Sequence, residues 1–406
     1  MKKSVIITIA AFALGLIVLT VGFVLLTDNN ISQSIFTTTT TAPSTSTTTT
    51  TGLNGGEEDP KLEPMDFFKE DMTKFVTLGQ YKDLAIEVDH LEVMEEAVDL
   101  QIEITLCQAG EYTKIREGVI TGGVFFSFDY TGYLTKEDGS KGEAFEGGSS
   151  TDQLAFIDET DLITITSDGT GSFIDGFAQG MLNANVGDTL SLDITFPENY
   201  HSADMAGKKT IFEVKINYIA QTNFTDGWVK EYTSGQQTTC EEYKNYIRDG
   251  FNEEIEQENV VLMWKAIINN ATFIEIPEQQ VNYWFDSYKS NVEYYVYYYS
   301  MFGYKVTYEE MLVMFGFENE EALRNWVTEE IVKTELVTFA IIQAEGFVAT
   351  DEEYRIFLDI LVEDTGKTEE ELLETYGEEY IRQQLVLNDV DKKVYELNTF
   401  VLKTEE

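Results

Sequence analysis

Side chains suited to covalent or metal chemistry are scarce in this chain. Its 406 residues include two cysteines, Cys107 and Cys240, and two histidines, His90 and His201. The cysteines lie far apart without CxxC spacing, so a zinc site would need nearly all of these side chains to converge. No D-x-[DN]-x-[DN]-G calcium loop and no G-x-x-x-x-G-K-[ST] phosphate loop is present. No histidine stands in a nucleophile context, which disfavours a hydrolase triad. Neither a metal nor a cofactor is expected. What the chain offers instead is aromatic surface. Across residues 126–216 aromatic side chains recur beside glycines in "FSFDYTGYL", "GEAFEGGS", "GSFIDGFAQGMLNANVGD", "TFPENYH" and "GKKTIFEVKI". A second run at 292–304, "VEYYVYYYSMFGY", holds seven aromatic residues and a methionine. Such groups break no bonds; they strip water from an apolar partner and hold it by shape.

The elements that must carry these residues follow from the rest of the chain. Lys and Arg total 27 against 73 Asp and Glu, a formal charge of -46. Phosphate-backbone binding rests on Lys and Arg, so nucleic acid and RNA-rich machinery are excluded as expected partners. After Lys2 and Lys3 come about 22 mainly apolar residues without a charge, enough to span a bilayer. The positive-inside rule then places the N-terminus in the cytoplasm and the remainder outside. A cleaved signal peptide with secretion is the alternative, although "VLLTDNNISQ" lacks a small-x-small cleavage site. Residues 1–27 are thus expected as a transmembrane anchor. Residues 28–63, with "TTTTTAPSTSTTTTT", are expected as a disordered linker whose coil reaches about 30–35 Å.

Residues 64–117 read as an extended and helical connector, with a helix near 92–107. Alternating runs between Gly and Asp turns ("VFFSFDYTGYL", "LITITS", "TLSLDITF", "TIFEVKINYI") make 118–221 an antiparallel β domain with one short helix at "IDGFAQGMLN". Residues 222–406 read as helical. Capping-box patterns mark starts at Thr239, Thr307, Thr350 and Thr368, and Pro277 fits the first turn of a further helix. The expected fold is α+β and multidomain, a β domain lying between segments of an all-α domain. Acidic runs such as "NEEIEQE" read as solvated faces.

The five aromatic–glycine segments, in this order and spacing, resemble the FKBP-type peptidyl-prolyl cis-trans isomerase domain. "AFEGG", "FIxGF" and "FPENYH…AGK" resemble in particular the version found in the trigger factor chaperones. The likeness extends to "VTLGQYKDLAIEV" and, less specifically, to the helical segments "WVKEYTSGQQTTCEEYKNYIRDGF", "AEGFVATDEEYRIFLDIL" and "YGEEYIRQQLVLNDVDKKV". It covers about residues 74–395. A ribosome-docking N-terminal domain has no room beside the anchor and linker, so no ribosome is expected as partner.

The resemblance implies an FKBP-like fold and a prolyl isomerase site. Tyr130 would be a wall with a hydrogen-bonding hydroxyl, and Phe145 would face the proline ring. Glu146 takes the acidic position, where many members have Asp, and could accept from Tyr130. Phe173 and Ile174 would form the rim, the Ile174 amide donating to the substrate carbonyl. Phe177 would be the floor, Tyr200 and His201 would lie in the loop over the site, and Phe212 would line the far wall. "TSDGTG" departs from the family and leaves open whether Ile163 or Ile165 fills the pocket. His201 reads as loop packing rather than a proton carrier.

As a helix, 292–304 places Tyr294, Tyr297, Tyr298 and Met301 on one stripe and Tyr295, Tyr299 and Phe302 on another. One stripe can face a core. The other is expected to contact unfolded clients, with Tyr294, Tyr295, Tyr298, Tyr299, Met301 and Phe302 as candidates, and 222–406 alone is expected to hold them. The sequence therefore points to a membrane-anchored extracytoplasmic isomerase and holdase. It leaves open a non-catalytic peptide-binding chaperone and a stalked adhesion or scaffold protein.

Overall fold

The computed structural model describes residues 63–158, 163–166, 173–200 and 202–404. The expected span at 1–27, the Thr-rich linker up to residue 62 and His201 lie outside the described residues. Among the described residues no helix is long and apolar enough to cross a membrane. The chain divides into two compact units, one of residues 92–254 and one of 63–91 with 255–404.

Ten strands are described: β1 (Val76–Thr77), β2 (Ala85–Val88), β3 (Tyr112–Ile115), β4 (Phe126–Thr135), β5 (Lys141–Asp158), β6 (Ile163–Thr166), β7 (Thr189–Thr195), β8 (Lys209–Thr222), β9 (Thr272–Phe273) and β10 (Thr399–Leu402). In the first unit β3 to β8 form one six-stranded sheet in the order β3-β8-β4-β5-β6, with β7 also paired to β8. All its pairings are antiparallel. One face packs Phe126, Phe128, Ile157, Val214 and Ile216 against the short helix Phe177–Met181. The other packs Phe125, Leu154, Phe156 and Tyr218 against Ile104 and Cys107 of the helix Glu95–Ala109. Burial on both faces explains why apolar residues run consecutively here instead of strictly alternating.

The helix Glu95–Ala109 and strand β3 fall in the stretch read as a connector. Instead β3 pairs with β8, and Val98, Ile102 and Leu106 form a small core with Val229 and Tyr243. Cys107 and Cys240 are free thiols. Burial pushes the Cys107 thiol up to about 12, so it packs as an inert apolar group.

The second unit is built on helices Glu278–Met301, Tyr308–Met314, Glu320–Trp326, Lys333–Glu345, Asp351–Thr365, Glu369–Tyr376 and Glu378–Tyr395. Thr307, Thr350 and Thr368 each form the expected reciprocal capping box. At Thr239 the hydroxyl accepts from the Glu242 amide at 3.2 Å and the Glu242 carboxylate accepts in return. Pro277 is the N-cap rather than a first-turn residue, with extended backbone (ψ 114°).

The expectation of an all-α domain over 222–406 needs correction. β1 pairs with β9 and β2 pairs in parallel with β10, so residues from before the sheet domain complete the helical unit. Phe67, Met72, Phe75, Val76, Ile86 and Val88 are all buried in its core beside Trp284, Leu336 and Ile341. The segment 63–91 thus acts as a strap.

Candidate functional site: an aromatic bowl on the sheet

Strands β4 and β8 run side by side and bring Tyr130 opposite Val214 and Gly132 opposite Phe212. On the other edge of β4, Thr131 pairs with Ser149 and Tyr133 with Ala144. Residues 145–148 of β5 therefore stand opposite the single residue Gly132. This bulge swings Phe145 back across the strand. A Cβ on Gly132 would come within 2.6 Å of both the Phe145 and Phe212 rings, and one on Gly148 within 2.4 Å of Phe145. Gly148 of "AFEGG" and the glycine of "DYTG" are thus the seat of the Phe145 ring, while Gly147 supplies the positive φ of 76°.

The aromatic residues converge. Tyr130 meets Phe173 edge-on at 5.3 Å and 88°, and lies 6.0 Å from Phe177 and 6.1 Å from Phe212. Phe177 is 4.8 Å from both Phe173 and Phe212. Phe145 meets Phe212 at 5.8 Å and 88°. Edge-to-face pairs of this kind are each worth about 0.5–1.5 kcal/mol beyond the area they bury. Phe177 and Phe212 are buried as a floor, while Tyr130, Phe145, Phe173, Ile174 and Tyr200 are half-buried around it.

Polar groups at the rim are few. The Phe173 amide donates to the Thr164 carbonyl at 2.8 Å, which ties the rim to β6. The Ile174 amide has no acceptor among the described residues. Burial, and secondarily Tyr200, raises the pKa of Tyr130, so its hydroxyl stays neutral and able to donate. Glu146 is exposed, and the expected Tyr130–Glu146 hydrogen bond is absent. The bulge that seats Phe145 turns the next side chain outward. The acid beside Tyr130 in sequence, Asp129, faces away from the bowl; it accepts from the Asp152 amide and the Asn217 side chain, each at 2.8 Å. The side chains of Ile163 and Ile165 lie outside the description.

Sequence reasoning missed two rings. Phe128 lies 5.3 Å from Phe173 and 5.9 Å from Tyr130. Phe196 lies 4.7 Å from Tyr200 and 6.0 Å from Phe145. Period-two spacing was the available signal, since Phe126, Phe128 and Tyr130, and likewise Leu192, Ile194 and Phe196, point to one face.

With this geometry in place, the relatives can be compared. Residues 119–217 match the FKBP-type peptidyl-prolyl cis-trans isomerase family. Residues 239–397 match the bacterial trigger factor C-terminus. This is a trigger factor-like chain. It is 30% identical over 310 residues to the trigger factor of Halothermothrix orenii, covering 74% of this chain and 66% of that one. The trigger factors of Brevibacillus brevis and Caldicellulosiruptor saccharolyticus are 28% and 29% identical, over 74% and 79% of this chain and 66% and 70% of theirs. The trigger factor-like chain thus spans about two thirds of the length of these relatives. A solved trigger factor chaperone structure aligns at 16% identity over 80% of this chain and 73% of its own, with a TM-score of 0.32, too loose to add to these local matches.

The tyrosine run lies in the second unit, on the helix Glu278–Met301. Trp284 and Val292 are buried in the core, with Tyr288, Tyr295 and Tyr299 packed against it. Tyr295 also meets Phe315 at 5.6 Å. Tyr294, Tyr297, Tyr298 and Met301 are exposed on the opposite stripe. Two expected client contacts, Tyr295 and Tyr299, are therefore committed to the core. Phe302 was placed on their stripe yet is 63% exposed, because the helix ends at Met301 and the chain turns through Gly303 at φ 82°. Tyr304, Val313 and Met314 are exposed nearby in sequence.

Proposed function

We propose that this chain is a membrane-anchored, extracytoplasmic folding factor that isomerises X-Pro bonds and holds unfolded exported polypeptides. The convergence of Tyr130, Phe145, Phe173, Phe177 and Phe212 beside an Ile174 amide that has no acceptor among the described residues carries the isomerase reading. An X-Pro bond rotates over a barrier of about 18–20 kcal/mol because rotation breaks amide resonance. The twisted state is less polar than the planar one, so an apolar bowl favours it over the ground state. Phe177 and Phe212 supply the floor, Tyr130 and Phe145 the walls, and the Ile174 amide is placed to orient the preceding carbonyl. No nucleophile takes part.

Tyr130→Ala combined with Phe145→Ala is expected to lower kcat/KM for a short prolyl peptide at least about 100-fold, equivalent to about 2.7 kcal/mol of transition-state binding. A protease-free isomerisation assay measures this. An unaltered rate, or a parent chain that gives no acceleration, removes the catalytic reading. The second reading is a pocket that binds prolyl peptides without turning them over. The outward position of Glu146, which leaves Tyr130 without its acidic partner, favours it.

The holding activity is assigned to the exposed stripe of Tyr294, Tyr297, Tyr298, Met301 and Phe302. Tyrosine gives a large contact area with a polar tip, and methionine adapts to varied apolar segments. Tyr298→Ala with Phe302→Ala, whose rings lie 5.0 Å apart, should weaken suppression of client aggregation several-fold. Being exposed, the pair should leave stability within about 0.5 kcal/mol. A variant that protects an unfolded client as well as the parent does would overturn the assignment. The extracytoplasmic placement rests on the apolar segment at 1–27 and the acidic charge of -46.

A further inference from the structure

Tyr200 lies in the turn after β7 and Phe145 within β5, and one buried ring joins them. Phe196 is 6% exposed and follows directly on β7. It packs against Tyr200 at 4.7 Å and 69°, Phe145 at 6.0 Å and 78°, and Phe212 at 6.4 Å. Its amide donates to the Lys208 carbonyl at 3.0 Å, and the Gly207 amide donates to the Pro197 carbonyl at 3.3 Å. These bonds fasten the base of the turn directly under Tyr200. The Tyr200 amide in turn donates to the Pro197 carbonyl at 3.1 Å. Close approach at Gly207, where a Cβ would meet the Glu198 carboxylate at 2.9 Å, keeps the turn compact.

We infer that Phe196 is a positioning residue for the prolyl site, seating the Tyr200 ring against the Phe145–Phe212 wall so that the peptide meets a preformed surface. The inference rests on the isomerase reading of the same bowl. Phe196 lies behind Tyr200 and Phe145, and it acts through them. Tyr130, Phe173 and Phe177 make no ring contact with Phe196 itself and connect to it through Phe212, whose ring is its most distant neighbour at 6.4 Å. Loss of Phe196 should therefore weaken peptide binding while leaving the rotation step on the floor largely intact.

A double-mutant cycle in the full-length chain tests this. Phe196→Leu keeps most of the apolar volume but loses the edge-to-face contact. We expect it to raise KM for a short prolyl peptide about 5–10-fold with kcat within about twofold, as should Tyr200→Ala. The double variant should be no worse than the poorer single one. Multiplicative losses in the double variant, or a fall in kcat at constant KM, would overturn the inference, because independent action or a merely structural defect gives those results. If Phe196→Leu shows no cooperative thermal transition, Phe196→Met carries the same cycle. If the parent chain gives no acceleration, the isomerase reading fails by itself. The cycle is then read on the Kd of the same peptide, where additivity still refutes the role of Phe196.

Discussion

A fragment of residues 222–406 is expected not to fold cooperatively, although it retains every α-helix of the second unit. The reason is the strap at 63–91. Phe67 and Met72 are each 1% exposed, and Phe75, Val76, Ile86 and Val88 are also buried in that unit's core. Deleting a single buried Phe costs about 3–5 kcal/mol, and a whole domain is held by only about 5–15 kcal/mol. Removing all six exceeds what remains. The polar bonding is equally dependent: the Gln343 side chain accepts from the Met72 amide at 3.2 Å and donates to the Glu70 carbonyl at 2.6 Å. β9 and β10 would lose their partners as well. Circular dichroism under urea measures the outcome. The fragment should show no sigmoidal transition, and joining 63–91 to it should restore one. A free fragment unfolding within about 1 kcal/mol of the intact unit would show that the strap is dispensable. The holding activity expected of 222–406 alone should accordingly be sought in chains that keep the strap.

The second large effect is a pH dependence centred on Glu335. Its carboxylate accepts from the Gln280 side chain at 2.8 Å and from the Trp284 indole at 3.1 Å. Gln280 is fully buried and its carbonyl accepts from the Met65 amide at 2.8 Å, so Glu335 lies beneath the start of the strap. Both donors are neutral. Loss of hydration pushes Glu335 up to about 7, and the two hydrogen bonds only partly oppose this. An acid with a raised native pKa binds its proton more tightly when folded. Its contribution is complete below 4.5, the unfolded value, and is lost as pH rises to about 7. The gap corresponds to about 3 kcal/mol. Both donors share one oxygen, so Glu335→Gln can keep both bonds through its amide carbonyl without the charge. The variant should gain on the parent across pH 5–7 and keep a constant advantage above pH 8. Three of the four tryptophans, Trp264, Trp284 and Trp326, report on this unit, so fluorescence-detected unfolding is the measurement. A difference between variant and parent that stays flat with pH would sink the assignment. Taking this difference cancels carboxylates of opposite sign, such as Glu353, held at about 2 by the Thr350 hydroxyl and amide.

How much of this was legible depended on range. The capping boxes at Thr307, Thr350 and Thr368 were readable because each is complete within three residues. The antiparallel sheet was readable through its turns and alternation. Most side chains of the bowl were named through the resemblance of the aromatic–glycine segments to the FKBP family, whereas Phe128 and Phe196 were not. Orientation was another matter. Glu146 follows Phe145 in sequence, yet the bulge opposite Gly132 turns it to solvent. Periodicity gave two tyrosine stripes on Glu278–Met301. Only packing against Phe315 and the core showed that Tyr295 and Tyr299 are the inner ones.

The sequence by itself determined the main strands of the sheet domain, where most helices begin and which segments carry the aromatic residues of the bowl. These are local consequences of capping chemistry, alternation and glycine placement. Tertiary structure decided that 63–91 completes a helical core more than 200 residues away, as in the Met65–Gln280 bond. It also decided that Phe196 joins Tyr200 to Phe145, and that the half-buried Glu335 is bonded to Gln280 and Trp284. Burial is a property of what surrounds a residue, and those surroundings come from distant parts of the chain that no local pattern encodes.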